Sequence, residues 1–141
     1  MDADSVERVG PVAHGSEPES EGIDFSANVN PETPEGVAAV YQNALEAARS
    51  YPPRGLPTYR RAAARYVDVD PEAVVPTPGG LAAIRLALST TVDPGDRVLV
   101  PFPSFGEYAR EVRLQGGEPV FVPVAEILDA DLDEVAMAIV C

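Results

Sequence analysis

The sequence contains no lysine, no tryptophan and only one cysteine. All ten basic residues among its 141 residues are arginines, set against 23 acidic residues. Without lysine, the chain has no side-chain amine for a Schiff base or for a phosphate-binding P-loop. The single cysteine, Cys141, excludes an internal disulfide. No run of about 18 apolar residues is present to predict a membrane-spanning helix.

Positive charge is scarce, and the net charge is −13. This balance argues against nucleic acid or an anionic membrane as a partner, because both attract a cationic face. The acidic start, Met1–Ser5, lacks the basic-then-apolar pattern of a signal peptide. We therefore expect a cytoplasmic protein. Arginine in place of lysine on an acidic surface suits a high-salt cytoplasm, where screening weakens self-repulsion, although an ordinarily acidic protein is equally consistent with the composition.

Helical periodicity and turn residues predict an α/β fold in three parts. Residues 1–22 are polar and lack periodicity, which is typical of a flexible arm. Residues 23–70 contain two helices, one beginning at Thr33-Pro34 and one capped by Thr58. Residues 71–141 alternate between helices and apolar strands, and this predicts a mostly parallel sheet covered by helices.

Within residues 71–141, the pattern predicts a helix from about Leu81 to Thr90 that is apolar nearly all round and therefore buried. A second helix should be capped by Ser104 and closed by Gly116-Gly117. Strands are predicted at 97–100, 120–122 and 136–140. The chain ends inside the last of these strands, so we expect a truncated sequence.

Two loops could bind a ligand, because ligands of open α/β sheets lie beyond the carboxyl ends of the strands. In the loop from Thr77 to Leu81, Gly79 and Gly80 would let helix N-terminal amides approach a phosphate. A plain tight turn is the favoured alternative for this motif alone. In the second loop, Phe105 and Tyr108 could stack on a planar ring, and packing of a helix face is an equal alternative for Tyr108.

The remaining polar candidates have ordinary explanations when taken singly. His14 is the only histidine, and no second histidine or suitably spaced cysteine accompanies it, so no metal site is expected. Asn28 and Asn30 suit a turn before proline, and Tyr51 suits a packed loop aromatic. The acidic residues are scattered too evenly to single out a carboxylate pair.

Taken together, these segments resemble the N-terminal third to half of fold-type I pyridoxal-phosphate enzymes. The match is strongest to the branch that contains threonine-phosphate decarboxylase of cobalamin synthesis and histidinol-phosphate aminotransferase. The resemblance lies in His14-Gly15, Asp24-Phe25-Ser26-Ala27-Asn28-Val29-Asn30-Pro31, Tyr51-Pro52, Thr77-Pro78-Gly79-Gly80 and Pro103-Ser104-Phe105-Gly106-Glu107-Tyr108. The first two strings are more similar to the decarboxylase.

The resemblance implies a role for each matched residue around pyridoxal 5′-phosphate. The amides of Gly79, Gly80 and Leu81 would hold the cofactor phosphate. Phe105 would stack on the pyridine ring, with Tyr108 as its neighbour.

The other matched residues imply contacts with the substrate and with a second subunit. Tyr51 would reach the phosphate of the partner subunit, which implies a homodimer. Asn28 and Asn30 would lie beside the substrate, an amino acid phosphate. His14 and Gly15 would belong to an arm that closes over it. Residues 23–70 would then form the small-domain and dimer-contact region.

The family's Schiff-base lysine is absent from these 141 residues, as are its pyridine-binding aspartate and its substrate-binding arginine. We therefore expect the N-terminal part of an enzyme most similar to threonine-phosphate decarboxylase, inactive as it stands. The alternatives are a histidinol-phosphate aminotransferase or another class I/II aminotransferase, or a non-catalytic relic.

Overall fold

A computed structural model describes residues 1–12 and 30–141. The chain divides into a first unit, made of the N-terminal segment with Thr77–Cys141, and a second unit that ends at Pro76. The elements in chain order are α1 (Ala3–Arg8), α2 (Val37–Ala47), α3 (Pro57–Val67), α4 (Gly80–Thr91), β1 (Arg97–Phe102), α5 (Gly106–Leu114), β2 (Glu118–Pro123) and β3 (Met137–Ala138).

The sheet of the first unit is parallel and has the order β2-β1-β3. Strand β1 lies in the centre: Arg97 pairs with Glu118 at one end, and Phe102 pairs with Pro123 at the other. On its other side, Val98 pairs with Met137. This arrangement confirms the α/β fold class and the parallel sheet.

Helices α4 and α5 contribute to the core that packs on β1. The buried apolar cluster consists of Leu88, Val92, Val98, Val100, Ala109 and Val112. The expectation that α4 is buried all round is wrong, because Leu88 is its one buried residue and Leu86 is 44% exposed. The run of apolar residues in α4 therefore leaves a face uncovered within the described residues.

A glycine pair ends α5 as predicted. Gly116 has a φ of +85°, which favours glycine, and its N–H donates to the carbonyl of Arg113 over 2.9 Å. A Cβ on Gly117 would lie 2.9 Å from Val92 Cγ1. Close packing of this turn against the end of α4 therefore requires glycine.

The N-terminal segment differs from the expected flexible arm, since α1 occupies Ala3–Arg8. Asp2 caps this helix by accepting a hydrogen bond from the Ser5 N–H over 2.8 Å, and the Ser5 hydrogen bonds lower the pKa of Asp2. The Asp2 N–H donates to the Leu114 carbonyl over 2.9 Å. The segment is thus joined to α5 of its own chain.

The second unit contains α2 and α3, and both begin away from the predicted caps. Helix α2 begins at Val37 after Gly36, whose φ is +82°, so Thr33 is not its N-cap. Helix α3 has Leu56 as its N-cap, which places Thr58 inside the helix. Val74-Val75, which the sequence marks as a short apolar run, forms no strand.

Across residues 1–12 and 30–141, no helix combines the length and the apolar character that crossing a bilayer requires.

Candidate functional site

The first turns of α4 and α5 lie at the carboxyl edge of the parallel sheet. Helix α4 runs back along the sheet before β1, and α5 begins where β1 ends, so both N-termini face the same edge. This edge is where open α/β sheets bind ligands. The structure therefore brings the two predicted loops to one edge of the first unit.

The loop before α4 has a conformation that requires glycine. Gly79 adopts φ 101° and ψ 168°, a region almost closed to other residues. The Gly79 N–H donates to the Thr77 carbonyl over 2.9 Å, and the Thr77 hydroxyl donates back to the Gly79 carbonyl over 3.1 Å. These reciprocal hydrogen bonds hold the loop in shape ahead of any ligand.

The first amides of α4 are open to an anion. The N–H groups of Gly80, Leu81 and Ala82 precede the first intrahelical hydrogen bonds, and no side chain caps this helix. A Cβ built on Gly79 or Gly80 would meet no atom within 4 Å among the described residues. The open space, the free amides and the helix dipole together fit a phosphate group.

Phe105 and Tyr108 form an aromatic pair at the first turn of α5. Their ring centroids are 5.5 Å apart and their planes meet at 87°, an edge-to-face arrangement. Phe105 is 44% exposed, and this contact places its ring at the N-terminus of α5. A hydrogen bond between the Tyr108 and Cys141 side chains, assisted by burial, raises the pKa of Tyr108. Tyr108 therefore stays a neutral phenol at neutral pH.

A cavity of about 240 Å³ adjoins this pair, between α5 and the carboxyl ends of β1 and β2. Phe102 and Phe121 contact each other edge to face at its margin, with ring centroids 5.9 Å apart. The edge of the sheet is therefore rich in aromatic surface.

The predicted cap of α5 is wrong. The N-cap is Phe105, with no side-chain cap hydrogen bond. The Ser104 hydroxyl donates instead to the Pro101 carbonyl over 2.5 Å. Ser104 therefore fixes the exit from β1.

Sequence reasoning also missed a pair of buried acids. Glu107 and Glu111 are 4% and 0% exposed, one helical turn apart on α5. Arg85 of α4 forms a two-pronged ion pair with Glu111, and this pairing raises the pKa of the Arg85 guanidinium. The i, i+4 spacing was the available signal, but the partner lies 26 residues away in the sequence.

The remaining predicted site residues belong to the second unit or lie outside the described residues. Tyr51, which is fully exposed, and Asn30 belong to the second unit. The Asn30 side-chain oxygen accepts a hydrogen bond from the Glu32 N–H over 2.9 Å, in keeping with a turn. His14, Gly15 and Asn28 lie outside the described residues. In the described part of the chain, no cluster of three or more potential metal ligands occurs.

Comparison with known proteins identifies a single family. The model for aminotransferase class I and II matches residues 20–139. A probable aspartate/prephenate aminotransferase of Thermus aquaticus is 36% identical over 100 residues, which cover 65% of this chain and 26% of the relative. A histidinol-phosphate aminotransferase of Roseiflexus castenholzii is 32% identical over 122 residues, covering 83% of this chain and 33% of the relative.

Solved structures agree with these sequence matches. The L-threonine-O-3-phosphate decarboxylase of Porphyromonas gingivalis superimposes with a TM-score of 0.61 at 29% identity. The match covers 72% of this chain and 31% of that structure. The chain thus spans about a quarter to a third of the length of these relatives.

Proposed function

The chain belongs to the aminotransferase class I and II family of fold-type I pyridoxal-phosphate proteins, and we propose that it forms the N-terminal part of an enzyme acting on an amino acid phosphate. Among the activities of this family, threonine-phosphate decarboxylation is the one we propose. The similarity of the chain to the solved decarboxylase supports this choice. So do the His14-Gly15 and Asp24–Pro31 strings.

The observation that carries the proposal is the loop before α4. Gly79 holds a glycine-only conformation, no side chain caps α4, and a Cβ built on Gly79 or Gly80 would meet no described atom within 4 Å. This backbone cradle binds through geometry and the helix dipole and needs no lysine. It therefore suits the phosphate of pyridoxal 5′-phosphate in a chain that contains no lysine.

The chain's own residues would anchor the two ends of the cofactor. The amides of Gly80 and Leu81 would donate to the phosphate, and the Phe105 ring would stack on the pyridine ring. The Gly79 amide, which the resemblance also assigns to the phosphate, is already occupied, because its N–H donates to the Thr77 carbonyl over 2.9 Å. Tyr108 holds the Phe105 ring by its edge-to-face contact and, as a neutral phenol, adds no charge beside the ring. The bound cofactor supplies an electron sink for the carbanion formed from the substrate.

The remaining assignments follow from the family resemblance. Tyr51 would reach the phosphate held by the partner subunit of a homodimer. Asn28 and Asn30 would lie beside the substrate, and His14 with Gly15 would close over its phosphate. Each of these roles is a proposal for the assembled enzyme.

The proposed reaction can be tested on the intact enzyme that contains this chain. With O-phospho-L-threonine, we expect carbon dioxide to be released in the absence of any keto-acid acceptor. Release of carbon dioxide is measured alongside consumption of 2-oxoglutarate. Turnover that depends on the keto acid, with no carbon dioxide released, would contradict decarboxylation.

That outcome would favour histidinol-phosphate aminotransferase, the second candidate. The observation in its favour is the alignment with the Roseiflexus castenholzii enzyme, which covers 83% of this chain. Histidinol phosphate as the amino donor then serves as the confirming substrate.

The phosphate cradle predicts a selective effect of Gly79→Ala. The substitution strains the loop, and its Cβ enters the space assigned to the phosphate. We expect the affinity for pyridoxine 5′-phosphate to fall about tenfold, since hydrogen bonds to a charged group contribute about 1.5–3 kcal/mol. The affinity for pyridoxine, which lacks the phosphate, should change little. Isothermal titration calorimetry measures both ligands.

Gly95→Ala is the matched control for this prediction. Gly95 also has a positive φ, +93°, and open space around it, but it lies in the turn before β1 at the opposite edge of the sheet. The control carries comparable backbone strain and should leave the preference for the phosphate ester unchanged. Equal losses in the two variants would show that strain, and not the cradle, controls binding.

A further inference from the structure

An ion pair between a buried acid and a partly exposed arginine joins the two helices whose first turns form the candidate site. The Arg85 Nε atom donates to Glu111 Oε2 over 2.8 Å, and its Nη2 atom donates to Oε1 over 2.5 Å. Glu111 is completely buried, whereas the Arg85 side chain is 43% exposed. The two parallel hydrogen bonds fix both the separation and the relative rotation of the groups.

Arg110 also contacts both buried acids of α5. Its Nη1 atom lies 3.2 Å from Glu107 Oε2 and 3.5 Å from Glu111 Oε1. Its Nε atom donates to the Gly10 carbonyl over 3.0 Å. Two guanidinium groups thus face two carboxylates, and the network also binds the N-terminal segment to α5.

Buried ion pairs add little net stability, since apolar residues of similar volume often stabilise a protein as well or better. Their distinctive property is geometric, because apolar packing is non-directional and a two-pronged pair permits one arrangement. The Arg85–Glu111 pair is therefore best explained by the relative position that it fixes for α4 and α5.

Arg85 and Glu111 lie at similar distances along their helices from the two parts of the site. Arg85 follows Gly80 by five residues, about 7.5 Å along the helix axis, and Glu111 follows Phe105 by six residues, about 9 Å. A slide or rotation of one helix against the other would therefore change the separation between the α4 amides and the Phe105 ring.

We propose that Glu111 is a positioning residue which, through Arg85, sets the separation between the phosphate-binding amides and the ring-stacking Phe105. The inference rests on the proposed function, since it assumes a ligand with a phosphate at one end and a ring at the other. A ligand bound by both anchors gains affinity only when the anchors match its length. The ion pair would therefore affect the affinity for a ligand that carries both a phosphate and a ring, and not the affinity for either group alone.

Arg85→Lys in the chain tests this inference with three probe ligands. Lysine retains the charge but replaces the two-pronged fork with a single ammonium. Because Arg85 is partly exposed, we expect the variant to stay folded. The ligands are pyridoxine, inorganic phosphate and pyridoxine 5′-phosphate. We expect about a tenfold loss of affinity for the phosphate ester alone, with the two separate parts bound as by the unaltered chain.

Two further variants sharpen the result. Glu111→Gln keeps the shape of the buried side chain and should produce the same selective loss. Arg97→Lys makes the same chemical change on an exposed arginine at the amino end of β1 and should change none of the three affinities. Parallel losses for all three ligands in Arg85→Lys, or no loss for the ester, would overturn the positioning role.

Failure of the proposed function has a different signature. If the unaltered chain binds pyridoxine 5′-phosphate no better than pyridoxine, the phosphate cradle is wrong. Hydrogen exchange of the Ala83 and Tyr108 amides, which donate to the Gly79 and Phe105 carbonyls, then decides the positioning role in Arg85→Lys by itself. Faster exchange confined to these two first turns supports it, whereas a uniform change along the chain, or none, overturns it.

Discussion

Replacing Glu111 with alanine is expected to lower the free energy of unfolding of the first unit by about 1–3 kcal/mol. The substitution leaves two guanidinium groups, those of Arg85 and Arg110, facing a buried site without their common carboxylate. It also removes a side chain with no solvent exposure, and the resulting cavity adds to the loss. The loss stays in this range because both guanidinium groups are partly exposed to water and Arg110 keeps its ion pair with Glu107.

The measurement has to report on the first unit alone, because the chain contains two units that need not unfold together. Exchange of the buried amides of Val98 and Val100 in β1 provides such a report. Glu118→Ala is the control, since Glu118 is an exposed glutamate at the start of β2, and its replacement should change stability by no more than about 0.5 kcal/mol. A loss below about 1 kcal/mol in Glu111→Ala would show that the site admits water.

The order of elements from α4 to β3 was predictable because its signals are local. Gly79-Gly80 starts α4, the Asp93–Asp96 turn precedes β1, and Gly116-Gly117 ends α5. Each signal acts on a few adjacent residues and needs no tertiary partner. For the same reason, the glycine loop could be proposed as an anion site from the sequence.

Features that depend on distant partners were not predictable. Helix α1 is tied by Asp2 to Leu114, more than a hundred residues away, and the sequence of the arm gives no sign of this contact. The exposure of α4 depends on what packs against it and not on its composition. The pairing of Glu111 with Arg85 combines an ordinary acid with an ordinary base, and only the fold makes them neighbours.

The caps show where local rules compete. Thr33, Thr58 and Ser104 are all favourable N-cap residues, yet the helices begin after Gly36, Leu56 and Phe105. At α5, the Ser104 hydroxyl bonds to the Pro101 carbonyl, so it is not available to the first amides of the helix. A cap rule predicts that a helix is near, but competing hydrogen bonds decide its first residue.

Treatment of the chain with pyridoxal 5′-phosphate and then borohydride is expected to label no side chain at all. The reagent fixes an imine between the aldehyde and an amine, and the chain contains no lysine. Its one primary amine is the α-amino group of Met1, a residue that is 64% exposed. Peptide mass spectrometry should therefore find the pyridoxyl group at Met1 alone, and acetylation of the N-terminus should abolish the labelling. Stoichiometric attachment to an internal residue would contradict the assignment.

The labelling result distinguishes non-covalent anchoring of the cofactor from its covalent attachment. The proposed phosphate site before α4 and the ring of Phe105 would supply non-covalent anchoring, which depends on backbone geometry and aromatic surface. Covalent attachment in this family depends on a lysine side-chain amine, and these 141 residues contain no lysine. If the proposed anchors bind the cofactor, reversible affinity for pyridoxine 5′-phosphate and absence of internal labelling should occur in the same sample. Affinity without labelling would show that cofactor anchoring in this fold does not require the covalent bond.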